Sequence, residues 1–208
     1  MSSRKLLPLS GAASVLLIII SFLIAGEPPD VDAVPEDLLS YYTDDGTQIG
    51  AALLALGAFF FLVFSATVAT GLHGTPGDRE PAGVAGKVSF AGGILFTVGM
   101  TIFAGISFTA GEVAEEVDAG ALQTLNALEM NMFLPAAIGV AAFLLGTGLG
   151  SLGRGLLPNW MAWVAIVLGV LALTPAGFAA FIGLGIWTLV ASAMLAARAG
   201  DAPMPGVD

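Results

Sequence analysis

The chain has 208 residues, 57% of them hydrophobic and only 11% charged, with a mean hydropathy of +0.93. Soluble domains carry roughly 25% charged residues, so there is too little polar surface to cover a water-facing globule, and the bilayer is the expected solvent. A net charge of −10 argues against nucleic acid, which needs clustered Lys and Arg; the absence of cysteine rules out disulfides and thiol chemistry, and a single histidine rules out a multi-histidine metal site.

Six apolar stretches are candidate membrane spans: 6–25, 49–72, 88–110, 130–152, 160–174 and 178–197. The first follows Arg4 and Lys5 and resembles a signal peptide. Its run of about 20 apolar residues exceeds the roughly 7–15 of a signal core, so a retained span is expected.

Residues 26–48 form the first polar connection, GEPPDVDAVPEDLLSYYTDDGTQ. Pro35 suits the first position of a helix, and Glu36 and Asp37 suit its first turn, where the helix dipole favours negative charge. Leu38, Leu39, Tyr41 and Tyr42 then predict a short amphipathic helix. It would lie on the outer membrane surface with its tyrosines at headgroup depth.

His73 follows the second span in GLHGTPGDREP and reads as a solvated loop histidine. The third span carries Ser89, Gly93, Thr97, Thr101, Gly105 and Thr109, each four residues from the last. Such a ridge drifts about 40° per step. It serves either as a helix-packing seam or as the polar lining of a solute path.

The segment 112–129 is acidic and ends at Glu129 in LNALEMNMFLPAAIG. No breaker separates Ala119 from Glu129, so the fourth helix has room to begin early. Glu129 is expected at the outer interface, either solvated or hydrogen-bonded there, or lining an outward-facing vestibule; Asn126, three residues earlier, shares its face. GTGLGSLGRG (146–155) lacks the GxxxxGK[ST] pattern of a phosphate loop. Trp160 and Trp163 read as an interfacial belt. Trp187 falls near mid-span, where its indole N–H needs a partner on another helix, such as a hydroxyl of the third span; it serves interhelical packing or lines an apolar ligand cavity. TPAG (174–177) reads as a tight helical hairpin between the last two spans.

Six spans put all six basic residues, Arg4, Lys5, Arg79, Lys87, Arg154 and Arg198, on one side, which marks that side and both termini as cytoplasmic. Twelve of the 16 acids fall on the other side. The D-x-D-x-D-G pattern of a calcium loop is missing, and no residue set asks for a metal or cofactor.

The stretches VPEDLLSYYTDDGTQIGAALLALGAFFFLVF, LNAL followed by FLPAA, and LLPNWMAWVAIVLGVLAL resemble a group of small uncharacterised polytopic membrane proteins of actinobacteria. That resemblance implies an integral membrane fold and no activity. The acidic balance, with only Lys5 and Lys87, suits a halophilic archaeon as well.

The expected architecture is therefore an all-α, six-helix membrane bundle in the cell membrane, a single domain over 1–200, followed by a flexible tail at 201–208. The expected function is non-catalytic: accessory, scaffolding or sensory, in contact with lipid and with another membrane protein or an apolar ligand. The alternative is a small-solute transporter or channel using the ridge of the third span, with Glu129 at its mouth. An enzyme is not expected, because no nucleophile–base set or acid–base pair is present.

Overall fold

The computed structural model describes residues 3–72, 80–152 and 156–201. His73, Asp78, Arg79, Arg154 and the tail after Asp201 lie outside the described residues.

The described chain folds into α1 (Ser3–Ala25), α2 (Pro35–Tyr42), α3 (Asp45–Leu72), α4 (Glu80–Val113), α5 (Ala119–Asn131), α6 (Phe133–Ser151), α7 (Asn159–Leu171) and α8 (Gly177–Asp201). Five segments are long and apolar enough to cross a membrane: α1, α3, α4, the α5–α6 unit and α8. α7 is apolar but has 13 residues, about 20 Å of helix. It stops at Leu171, short of the expected 174, and the chain turns through Thr174, whose carbonyl accepts from the Gly177 N–H at 2.9 Å.

Six helices close a ring in the order α1, α3, α4, α6, α7, α8, with α8 returning to α1. α6 also touches α3 and α8, so it is the most enclosed member. Its buried Phe143 sits at the centre of an aromatic core, 5.0 Å from Phe61 and 6.0 Å from Trp187 between ring centroids.

Lipid gives helices no hydrophobic reason to associate, so the ring depends on close packing. The α4–α6 seam shows how. Gly99 packs on the backbone of Ala136, Gly139 on Phe96, Gly92 on Phe143 and Gly146 on Ser89. Numbers rise along α4 as they fall along α6, so the helices are antiparallel. A Cβ on Gly146 would lie 2.5 Å from the Ser89 nitrogen. Only glycine permits this approach.

α2 and α5 cap one end of the ring. Pro35 opens α2 at its first turn, as its sequence predicts. The placement differs from the expectation of a surface helix. Leu38 and Tyr42 are buried against Ala110, Ala114 and Leu122, so the apolar face of α2 is spent on protein rather than on headgroups. The Asp118 side chain caps α5 by accepting from the Ala121 N–H at 2.9 Å. The fourth span then breaks at Met132. Pro135 has no N–H to donate to the carbonyl four residues back, and its ring crowds Asn131, so α5 cannot run straight into α6.

Candidate functional site

The end capped by α2 holds the densest polar cluster described in the molecule. Leu122, Asn126 and Glu129 are spaced four and three residues apart, so all three point inward from one face of α5, and all are buried. Glu129 is only 1% exposed. It is therefore neither solvated at an interface nor lining an open vestibule. α2 lies across it.

Tyr42 makes the closure. Its phenolic oxygen lies 2.8 Å from Glu129 Oε2 and 2.9 Å from Asn126 Oδ1. The Asn126 amide is turned by its other end: Nδ2 donates to the carbonyls of Pro29 at 3.3 Å and Asp30 at 3.2 Å. Gln123 adds a bond to the Val31 carbonyl at 3.2 Å. The connection between α1 and α2 is thus tied to α5 at three carbonyls. Glu129 Oε1 is buried without a hydrogen-bond partner. Ser107 of α4, also buried, lies beside the carboxyl. Ser107 further lines a cavity of about 20 Å³ shared with Tyr41 and Thr47, about the size that admits one water.

The electrostatics follow from burial. Burial first, and the Glu129 carboxyl second, push the Tyr42 phenol far above its ordinary range. The same two causes, opposed by the Thr47 hydroxyl, push Tyr41 up to about 12. Both phenols keep their protons at any physiological pH.

Outside the cluster, α2 and the preceding connection border an open depression of about 810 Å³ edged by Glu27, Asp30, Asp32, Asp37 and Asp44. Among the described residues no three such side chains converge as a metal would require.

The ridge of the third span does not stay together. Ser89 shares a 2.8 Å hydrogen bond with Thr147 of α6. Gly93 packs on the Ser65 side chain of α3, and the Thr97 hydroxyl reaches the Ala58 carbonyl at 3.2 Å. Thr101 and Thr109 are exposed and bond within their own helix, and Gly105 faces open space. The drift of the period-four row carries it from α6, across α3, to the outside of the ring. Trp187 donates to the Met161 carbonyl of α7 at 3.1 Å, not to a hydroxyl of the third span. α8 neighbours α7 in the ring, and α4 stands across it.

The sequence alone did not pair Tyr42 and Ser107 with Glu129. The available signal was the pairing of two inward faces, Leu38 with Tyr42 and Leu122 with Asn126 and Glu129. Comparison with protein-family models, curated proteins and solved structures finds no match.

Proposed function

We propose that this chain is a six-span protein of the cell membrane, with both termini cytoplasmic, that acts without catalysis as a sensory or scaffolding component. The α2-capped end is its outer, working face. The observation that carries this is α2 itself: an element outside the long apolar helices, docked through Tyr42 onto a buried carboxyl at their ends. An outer segment latched to a chargeable group beneath it can change position when its surroundings change, and the ring below can pass that change to a partner helix. The seams favour this over transport. Backbone-to-backbone packing of α4 on α6 leaves the upper ridge residues facing outward instead of lining a path.

The test is affinity capture from native membranes in mild detergent. Wild-type chain is expected to retain a membrane protein at fixed ratio that Tyr42→Ala, still folded, loses. Solute or proton flux in vesicles containing only this chain, abolished by Glu129→Gln, would sink the proposal in favour of the transporter.

A further inference from the structure

Tyr42 has one hydrogen and faces two acceptors. Its phenol is held neutral, so the hydrogen is present, but it can be given to only one of Asn126 Oδ1 and Glu129 Oε2. Turning the Asn126 amide over would not help, because its oxygen would then face the two carbonyls of Pro29 and Asp30. With a carboxylate at 129, one short O···O contact would lack a proton, inside a site almost without water. The count closes with one more hydrogen on Glu129 Oε2. The carboxylic acid then donates to Tyr42 Oη, Tyr42 donates to Asn126 Oδ1, and Asn126 donates to the loop carbonyls.

We infer that Glu129 is held as the neutral carboxylic acid, and that loss of its proton to solvent releases α2 from the end of the bundle. This rests on the sensory reading and names its stimulus, the proton concentration at the α2 face. Among the described residues no cation opposes the inference: the groups against the carboxyl are Tyr41 and Tyr42 from α2, Asn126 from α5 and Ser107 from α4. The other described charges at this end are all acidic and exposed: Glu27, Asp30 and Asp32 before α2, Glu36 and Asp37 on it, Asp44 and Asp45 after it, Glu112 on α4, and Glu115, Glu116 and Asp118 before α5. The described basic side chains, Lys87 and Arg198, lie at the opposite end of the helices. The closed form binds one proton more than the open form, so raising the pH favours opening. When the proton leaves, the buried anion has only the Tyr42 and Ser107 hydroxyls as donors, and taking the Tyr42 hydrogen strips it from Asn126 Oδ1.

Two measurements on purified, reconstituted chain test this. Infrared difference spectra of wild type against Glu129→Gln should show, at neutral pH, a carboxylic-acid C=O band that the variant lacks. The band is assigned by its loss in Glu129→Gln, which alters the one carboxyl that is buried among the described residues. The second measurement compares thiol labelling of Leu38→Cys, on the buried face of α2, with Leu39→Cys on its exposed face. The ratio cancels the pH dependence of the thiol itself. It should rise about tenfold or more from mildly acidic to alkaline pH, and stay flat in the Glu129→Gln background, where the amide still donates to Tyr42. If Leu38→Cys does not fold, amide exchange across Leu38–Tyr42, corrected for intrinsic rates, replaces it. Absence of the acid band, or a ratio independent of pH in wild type, overturns the inference. Neither readout involves a partner, so its failure is separable from loss of the captured protein.

Discussion

Tyr42 and Asn126, 84 residues apart, meet through a 2.9 Å hydrogen bond that joins α2 to α5 with no water between them. The amide in turn holds the chain before α2, so one contact organises the whole cap. Tyr42→Phe removes the hydroxyl and leaves the buried Glu129 carboxyl and Asn126 Oδ1 without their shared partner, which costs about 1–3 kcal/mol. Asn126→Ala frees the Pro29 and Asp30 carbonyls at a similar cost. Because the two share a network, the double variant should lose less than the sum, with a coupling of about 0.5 kcal/mol or more by thermal unfolding in detergent. Strict additivity would show that the bond is not formed.

The chain has two tyrosines, and both are held protonated. A phenol whose native form resists ionisation stabilises the fold below its ordinary value of 10.0, and that contribution is lost as pH rises toward about 12. In the Glu129→Gln background, where α2 stays docked at alkaline pH and burial still holds both phenols up, ultraviolet titration should show no tyrosinate near pH 10. A normal tyrosine titration in that folded variant would mean that α2 is not docked.

How much of this was legible in the sequence depends on the kind of signal. Pro35 with Glu36 and Asp37 marked the start of α2, and apolar length marked the long helices, because both are local properties of the chain. The docking of α2 was not legible. A helix with Leu38 and Tyr42 on one face suits a headgroup layer and a protein surface equally well, and only the fold shows that Leu122, Asn126 and Glu129 lie opposite. Pro135 was in plain view, yet the fourth span was expected to run unbroken over 130–152, since a proline so near a helix start can also be harmless. The period-four ridge had the right residue types on the wrong period. The working seam on α4 runs through Ser89, Gly92, Phe96 and Gly99, close to a seven-residue repeat, and keeps facing α6.

That seam predicts a contrast between two glycines. A Cβ at Gly146 would meet the Ser89 nitrogen at 2.5 Å and the Ala85 carbonyl at 2.8 Å, both backbone, so the helices must separate. Gly146→Ala should cost about 1–3 kcal/mol. Gly105 has nothing within 4 Å, and Gly105→Ala should be neutral or stabilising by up to about 1 kcal/mol. Equal effects at the two positions, in denaturant-induced unfolding, would contradict the antiparallel packing of α4 on α6.

Trp187 tests the join between α7 and α8. It is buried, packs edge-on against Phe143, and spends its N–H on the Met161 carbonyl at 3.1 Å. Trp187→Phe removes the hydrogen bond and part of the ring, and should destabilise by roughly 1–2 kcal/mol. Replacing a hydroxyl of α4, such as Thr101→Val, should not change the indole environment, because Thr101 bonds only within its own helix. Trp187 fluorescence, read with Trp160 and Trp163 replaced by Phe, checks this directly; a shift on Thr101→Val would relocate the indole's partner.

Orientation is open to a direct experiment because the native chain has no cysteine to remove. Asp32 lies exposed in the connection before α2, and Val84 lies exposed near the start of α4, at the opposite end of the long helices. If the α2 face is outside, Asp32→Cys in intact cells reacts with a membrane-impermeant thiol reagent and Val84→Cys reacts only after permeabilisation. The basic residues support that result: Lys87 follows Val84 by less than one turn, and charge of this sign is retained on the cytoplasmic side. The reverse pattern would place the acidic cap in the cytoplasm. The proton reaching Glu129 would then report internal rather than external pH.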